Sequence, residues 1–402
     1  MGMSSVDFVT YEKLVKSVGS LSKLFTDNDT PYLSPKFVEK LFVFTSASDD
    51  LARRDMSFDA KTRQGAGVGV KTFGVSQLSG SKTEKIAEFT ADATKGLFSN
   101  LSPEELVHTV ANYRNARVQS DARVFEIGLD DSFYHCLVRS PSGCMIHEES
   151  YDLIDTSSIR IERSSTGLRN PRFTDGRNTY TFSTAKNTLF KTFKLDDHRN
   201  SSVIEVTFLD DVFELLLKGG LSAQSGEPEV ELEPTVAPVV VLPLYSTRSG
   251  KVDSKSGINQ WNAGGRSREF GEAYIPHPSA IRKLFPNFFP PKDTSFKLRV
   301  PSGKVMSAKV CQAGGKAIMS NPNSALCEWL FNLIDDSPSA SQARLRNGKP
   351  YTSDDLLRIG RDSVKISLVD PDEMLYELEP MKTGAYESFL NSFDETLDSE
   401  LD

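Results

Sequence analysis

A proline- and glutamate-rich segment at residues 222–238, SAQSGEPEVELEPTVAP, limits how this 402-residue chain can fold. Its three prolines remove backbone donors, and its four glutamates at alternate positions repel one another, as is typical of an extended linker. We therefore expect one domain at 1–221, a linker at 222–240 and a second domain at 241–390. Residues 391–402 are expected to form an acidic tail. The chain is long enough for each domain to have its own core.

The formal net charge of −8 conceals an uneven distribution. Residues 1–240 carry 27 basic and 34 acidic side chains, residues 241–320 carry 13 and 4, and residues 321–402 carry 7 and 17. The net charges of these three segments are −7, +9 and −10. A basic stretch of this size attracts a nucleic-acid backbone, so a polyanionic partner is expected for the middle segment only.

Several function classes lack their sequence signals. No run approaches the roughly 18 apolar residues that span a bilayer, and no secretory signal is recognised, so we expect a cytoplasmic protein with no membrane partner. The cysteines show no CxxC spacing, which predicts neither a zinc site nor disulfides. No histidine begins the H-x-K pattern of phospholipase-D-like nucleases or the HExxH pattern of zinc enzymes.

The first domain mixes helix and strand signals. Helical periodicity runs through 11–24, and Ser34 followed by Pro35 predicts the start of a second helix. Two short strands, MSFDAKT and GVGVKTF, flank a glycine-containing turn and predict a hairpin. Ser81 predicts another helix, with Glu84 as its capping partner, and Ser102 predicts a further one. Since residues 123–209 add many short β-type runs, the fold class is α+β.

Candidate catalytic residues occur on the second helix and the hairpin. Metal-dependent phosphodiester hydrolysis needs carboxylates converging on Mg²⁺ and usually a lysine near the attacking water. Glu39, Asp59 and Lys71 supply these groups in the order helix, strand, strand. This order resembles the core of the PD-(D/E)XK nuclease superfamily, which includes most restriction endonucleases. The resemblance implies a mixed sheet with flanking helices and a Mg²⁺ cofactor bound by Asp59. It also implies that Glu39 supports the metal or its water and that Lys71 orients or activates the attacking water.

The chain departs from the family pattern at two positions. Phe58 stands where proline often precedes the first aspartate, and Gly69 stands where a second carboxylate should precede the lysine. Some restriction endonucleases of this superfamily move that carboxylate to the following helix. Glu84 and then Glu88, expected one turn apart on such a helix, are the replacement candidates. The predicted metal ligands are therefore Asp59, Glu84 and Glu39.

A second register of the motif stays open. Asp59-Ala60-Lys61 reads as a literal D-x-K sequence. In that register an upstream aspartate would complete the site, and the candidates are Asp49, Asp50 and Asp55.

Residues 169–194, LRNPRFTDGRNTYTFSTAKNTLFKTF, combine basic and polar side chains that suit phosphates and base edges. The stretch resembles a segment of the same class of restriction endonucleases that flanks DNA. We predict Arg177, Asn178 and Lys186 as DNA contacts. An ordinary solvated hairpin is the alternative interpretation.

The second domain has frequent turn signals between short β runs, which predicts a small β barrel. Three ordered blocks, WNAGGR at 261–266, EAYIP at 272–276 and KAIMSNP at 316–322, resemble the C-terminal pseudobarrel domain of certain restriction endonucleases. That domain is related in fold to the DNA-binding domain of plant auxin-response transcription factors. The resemblance covers about residues 255–335.

In the pseudobarrel fold, two loops clasp the major groove. Arginine can read guanine, asparagine can read adenine, and lysine mostly holds phosphate. The resemblance implies that the first loop includes Trp261, Asn262, Arg266 and Arg268. It implies that the second includes Gln312, Lys316, Ser320, Asn321 and Asn323. Trp329, inside an apolar helical run, is predicted to pack in the core.

These observations predict a Mg²⁺-dependent, sequence-specific type II restriction endonuclease that acts on double-stranded DNA. Because both strands must be cut, a homodimer through the first domain is expected. A cognate DNA methyltransferase is expected as a functional partner but not as a stable subunit. The alternative is a non-catalytic, sequence-specific DNA-binding protein whose first domain mediates assembly.

Overall fold

The computed structural model describes residues 6–52, 56–90, 96–98, 100–162, 170–195, 203–213, 238–260, 271–335 and 337–399. They fall into two compact units. The first takes its residues from 1–88, 102–110 and 127–235, and the second from 89–101, 111–126 and 236–402. The second unit thus includes two stretches that the sequence division placed in the first domain. Nearly all of the predicted linker lies outside the described residues.

Two of the described helices, those capped at Ser34 and Ser102, begin where local capping signals predict them. The described helices are α1 (Phe8–Gly19), α2 (Pro35–Ser46), α3 (Pro103–Val124), α4 (Ser279–Leu284), α5 (Asn323–Ile334), α6 (Pro338–Arg346), α7 (Ser353–Ile359) and α8 (Ala385–Ser399). At α2, the Ser34 side chain accepts a hydrogen bond from the Phe37 N–H at 3.2 Å. At α3, Ser102 and Glu105 form a reciprocal capping box. Helix α8 covers most of the predicted acidic tail, and no helix of the described residues could cross a membrane.

The described part of the first unit contains two sheets. In spatial order, the larger consists of β1 (Asp49–Asp50), β2 (Ala60–Lys61), β3 (Ala66–Gly74), β5 (Gly128–Ser140), β6 (Gly143–Ser150) and β11 (Val203–Ile204). The smaller consists of β4 (Ser81–Glu88), β10 (Thr188–Lys194), β9 (Thr179–Ser183), β8 (Arg172–Thr174) and β7 (Arg160–Ile161). Strands β3 and β5 are parallel, whereas their neighbours pair antiparallel, so the larger sheet is mixed.

The helix predicted to begin at Ser81 is wrong, because residues 81–88 form strand β4. This strand pairs antiparallel with β10, and Glu84 lies opposite Lys191. The Ser-x-x-Glu pattern is only a local capping signal, and pairing with a distant strand overrides it. Glu84 and Glu88 therefore do not share a helix face.

The core of the first unit lies between the larger sheet and helices α1 and α2. Tyr11 and Val15 of α1 and Phe42 of α2 belong to one buried cluster with Val68 of β3 and Leu137 of β5. The opposite sheet face carries aromatic rings that contact β10. The predicted α+β fold class, with helices flanking a mixed sheet, is confirmed.

In the second unit, the described strands form one curled, half-barrel sheet. In spatial order they are β12 (Val239–Pro243), β17 (Arg361–Asp370), β18 (Leu375–Lys382), β14 (Ser295–Arg299), β15 (Val305–Cys311), β16 (Ala317–Asn321) and β13 (Ile275–Pro276). Trp329 is buried on α5, as predicted. All four cysteines of the chain are buried free thiols.

Candidate functional site

Asp59 and Lys71 meet where β2 and β3 pair. Asp59 immediately precedes β2, and its N–H donates to the Val68 carbonyl at 2.8 Å. Its carboxylate oxygen Oδ2 accepts a hydrogen bond from the Val70 N–H at 2.7 Å and lies 3.8 Å from Lys71 Nζ. The two side chains are 25% and 27% exposed, respectively. The sheet therefore fixes a half-buried carboxylate and ammonium side by side.

Glu39 lies on α2, which packs against β3. It forms an ion pair with Lys36 at 2.7 Å. Burial raises the pKa of Asp59, and the charge of Glu39 raises it further. Lys71 and the Val70 N–H oppose these effects, but the pKa of Asp59 stays above its ordinary value. Glu39 and Asp59 are thus close enough to repel each other.

Glu84 lies half-buried on β4. Burial raises its pKa, and the charges of Lys82, Lys71 and Arg139 oppose that rise. Lys71 therefore lies within electrostatic range of both Asp59 and Glu84. Glu88, by contrast, is exposed and forms an ion pair with Lys85 at 3.1 Å.

The space beside Gly69 is occupied by two aromatic rings. A Cβ atom at this position would lie 2.9 Å from ring carbons of both Tyr134 and Tyr151. These two rings stack with their centroids 4.3 Å apart. A carboxylate at residue 69, where the family pattern has one, would not fit without moving this stack.

The residues of the second register lie elsewhere on the same sheet. Lys61 pairs across the strands with Asp49 and Gly67. Asp50 forms an ion pair with Lys40. Asp55 lies outside the described residues.

The donor chemistry around Asp59 fits Mg²⁺, which is often held by one or two carboxylates together with substrate phosphates. The negative charge of Glu39 contributes to the raised pKa of Asp59, and a divalent cation would offset this repulsion. In the part of the chain that the structure describes, no group of three or more His, Cys, Asp or Glu side chains is arranged to hold a metal. Glu84 therefore does not complete a preformed three-carboxylate cluster with them.

The first unit also contains a buried ionic network that the sequence did not predict. Lys191 is 2% exposed, and its Nζ lies 2.6 Å from Glu149 Oε1. His147 Nε2 lies 3.1 Å from the other Glu149 oxygen. Burial alone would raise the pKa of Glu149, but His147 and Lys191 hold it below its usual value. The network joins β6 of the larger sheet to β10 of the smaller sheet.

A sequence signal for this network exists in β10. Leu189, Lys191, Phe193 and Leu195 alternate along the strand and are all buried. Alternate residues of a strand point to the same face, so a lysine that alternates with three apolar residues is expected to be buried with them. Asn178, predicted to contact DNA, accepts a hydrogen bond from Lys191 Nζ at 2.8 Å. The other two predicted contacts of this region, Arg177 and Lys186, are exposed.

The first predicted DNA-binding loop of the second unit, with Trp261, Asn262, Arg266 and Arg268, lies outside the described residues. In the second loop, Gln312, Lys316 and Asn321 are exposed. Asn323 is half-buried and donates to Glu272 Oε1 at 3.2 Å.

Ser320 is fully buried, although it was predicted to contact DNA. Its hydroxyl donates to the Pro322 carbonyl at 2.7 Å and accepts from the Leu326 N–H at 2.9 Å. These bonds hold the first turn of α5. The side chain therefore has a structural role in this fold.

Two side chains brace the turn between β15 and β16. Gln312, Gly314 and Gly315 adopt positive φ angles of 67°, 71° and 67°. The Arg282 guanidinium donates to the Gly314 carbonyl, and His277 Nδ1 lies 3.0 Å from the Gly315 carbonyl oxygen. Burial lowers the pKa of His277 to about 4, so the ring is neutral at physiological pH and can donate from Nδ1. The brace presents Gln312 and Lys316 on a fixed backbone.

Comparison with known proteins finds a similarity for part of the second unit. No curated protein matches the chain. A family model, that of the NgoFVII C-terminal B3-like DNA-binding domain, matches residues 238–370. The matched segment begins one residue before β12 and ends with β17, and it includes the braced turn. Over residues 238–370, the chain is therefore similar to the C-terminal B3-like DNA-binding domain of the NgoFVII restriction enzyme.

Proposed function

We propose that this protein is a sequence-specific type II restriction endonuclease that hydrolyses phosphodiester bonds of double-stranded DNA with Mg²⁺. The observation that carries the proposal is the Asp59–Lys71 pair, whose charged atoms lie 3.8 Å apart. It occurs in the same chain as a segment similar to a restriction-enzyme DNA-binding domain. A reader of DNA sequence and a phosphodiester-cleaving centre are the two parts that such an enzyme needs.

The second unit supplies DNA binding in this proposal. Lys316 contacts phosphate, and Gln312 and Asn321 offer amide groups to base edges. All three are exposed, and the Arg282 and His277 brace holds the turn from which the first two project. Arg266 and the rest of the first loop would contact the same groove.

The first unit supplies the chemistry. A bound Mg²⁺ stabilises negative charge on the phosphate and lowers the pKa of a water ligand. Asp59 and Glu39 would hold the ion, and the Val70 N–H keeps the Asp59 carboxylate oriented. Lys71 orients the attacking water and stabilises charge that develops on the phosphate. Glu84, within electrostatic range of Lys71, is the candidate for the carboxylate that Gly69 lacks, and it would join the ion only when Mg²⁺ and DNA are bound.

Cleavage of both DNA strands needs two such centres. A homodimer supplies them with one gene product, and its two-fold axis matches the symmetry of a duplex site. A separate methyltransferase would protect the host's own copies of the site.

Cleavage of supercoiled plasmids of mixed sequence, in Mg²⁺ and in EDTA, tests the proposal. We expect Mg²⁺-dependent cutting by the wild type and at least about 100-fold slower cutting by Asp59→Asn and Lys71→Met. Lys61→Ala serves as the matched control for the second register and should cut at close to the wild-type rate. Unimpaired cutting by both Asp59→Asn and Lys71→Met would refute the site assignment.

A second candidate function is non-catalytic, sequence-specific DNA binding. The ring stack that fills the position beside Gly69 favours it. Its signature would be sequence-specific footprints on DNA without cutting in Mg²⁺ or Mn²⁺ by any form of the protein.

A further inference from the structure

The first unit contains a polar cavity of about 560 Å³. Its walls come from the loop at 26–32, the connection between β3 and β4 at 74–82, and Arg139 near the end of β5. The lining includes hydroxyl groups from several serines and threonines, two cations and no carboxylate. Asp27 and Asp29 belong to the first of these loops, but they do not line the cavity.

The two cations of the cavity are Lys82 and Arg139, and no carboxylate lines the cavity beside them. Among the described residues, neither forms an ion pair with a carboxylate. Arg139 donates from one terminal nitrogen to the Pro31 carbonyl at 2.8 Å. Its Nε is shielded from solvent, so a ligand in the cavity would contact the other N–H groups of the guanidinium. Charge-assisted hydrogen bonds from a guanidinium to phosphate oxygens are strong.

The cavity lies along the same two strands as the candidate catalytic residues. Gly74 follows Lys71 by three residues on β3, and Lys82 precedes Glu84 by two residues on β4. At the usual rise of a strand, these separations are roughly 7–10 Å. The charges of Lys82 and Arg139 are also close enough to Glu84 to affect its carboxyl group.

We infer that this cavity binds the DNA phosphate backbone next to the phosphate that is cut, with Arg139 and Lys82 as its charged contacts. The position relative to the cut phosphate rests on the proposed function, whereas binding of the backbone does not. Serine and threonine hydroxyls around the two cations complete the donor set that phosphate oxygens accept from. Bound there, the backbone would align the neighbouring phosphodiester with Asp59 and Lys71.

The first test measures DNA affinity of the full chain across a salt series in EDTA. A fluorescent duplex of mixed sequence is titrated with the wild type, Lys82→Ala and Arg139→Gln. We expect the slope of log affinity against log salt to become shallower by about 0.9 for each variant, because one phosphate contact is lost. Lys85→Ala, an exposed lysine of β4 outside the cavity, is the matched control and should leave the slope unchanged.

Arg139→Lys separates charge from geometry. It keeps the positive charge but loses the planar set of guanidinium N–H donors, so we expect the wild-type slope with a lower affinity. Melting temperatures of all variants check that each is folded. Unchanged slopes in both Lys82→Ala and Arg139→Gln would overturn the inference.

Inorganic phosphate tests whether the ligand is a free anion. If phosphate raises the melting temperature of the wild type but not of Lys82→Ala, and the DNA slopes do not differ, the cavity is a free-phosphate site and the backbone assignment is wrong. Plasmid cleavage separates this inference from the proposed function. Shallower slopes without any cutting would refute only the nuclease, and cutting with unchanged slopes would refute only the backbone subsite.

Discussion

The candidate catalytic groups of the first unit and the exposed turn of the second unit are positioned by different means. Asp59 and Lys71 are half-buried, and pairing between β2 and β3 brings them together. Gln312 and Lys316 remain exposed, and the brace on their turn acts through backbone carbonyls. In the first unit the functional side chains themselves are part of the packed structure.

The difference follows from what each group is proposed to do. A charge that acts on a reacting phosphate is most effective when it is fixed in partly buried surroundings, although burial destabilises the ionised group. A charge that holds a DNA phosphate can stay solvated, since its effect comes from release of counterions. We therefore expect substitutions of buried or half-buried charged groups in the first unit to change stability, and substitutions in the exposed turn to change DNA affinity alone.

The largest expected effect comes from the buried ionic network of Lys191, Glu149 and His147 in the first unit. Lys191→Met leaves Glu149 as a buried charge without its ammonium partner, so we expect the free energy of unfolding to fall by about 3–5 kcal/mol. Urea unfolding of the full chain, followed in the transition of the first unit, measures the change. Lys194→Met, at an exposed position of the same strand, should stay within about 0.5 kcal/mol of the wild type. Equal effects of the two substitutions would contradict the view that the buried charged groups of the first unit are part of its packed structure.

A smaller loss is expected at Gly69. Gly69→Ala would place its methyl group against Tyr134 and Tyr151, and overpacking of this kind lowers stability by about 1–3 kcal/mol. Gly74→Ala, on the same strand, is the control, because its Cβ would meet the Arg139 carbonyl oxygen only at 4.0 Å. Chemical denaturation of both variants tests the difference. A Gly69→Ala protein as stable as Gly74→Ala would show that the ring stack moves easily and that residue 69 could accept a carboxylate.

Asp59→Asn should stabilise the fold while it slows cleavage. The folded-state pKa of Asp59 is raised, so the ionised carboxylate is penalised in the folded protein, and its removal should raise stability at pH 7. Below the unfolded pKa of about 4 the carboxyl is neutral in both states, and the difference should vanish. Unfolding free energies between about pH 3.5 and 8 measure this dependence. A variant less stable than the wild type at neutral pH would mean that the ion pair with Lys71 outweighs burial.

The smallest effect is expected at Lys316. Lys316→Ala should weaken DNA binding a few-fold and reduce the salt slope by about 0.9, with stability within about 0.5 kcal/mol of the wild type. Lys297→Ala is the control in the same unit, since this exposed lysine forms an ion pair with Glu373 away from the turn. Anisotropy titrations and melting curves give the two quantities. A large loss of stability in Lys316→Ala would remove the contrast between the two regions.

Features encoded by neighbouring residues could be predicted from the sequence. The start of α2 at Ser34 and of α3 at Ser102, and the hairpin that carries Asp59 and Lys71, depend on caps and turns of a few residues. The β-rich second domain was also predicted, because its turns and short β runs are local signals.

Features that depend on distant partners were decided by the tertiary structure. Residues 81–88 became a strand because they pair with β10, although Ser81 and Glu84 read locally as a helix cap. The residues that fill the space beside Gly69 come from strand β5 and the segment after β6. The sequence by itself determined which groups are available, Glu39, Asp59 and Lys71 in that order. Only the packing of distant strands decided which of them meet and which are buried, because burial and charge pairing depend on contacts between residues far apart in the chain.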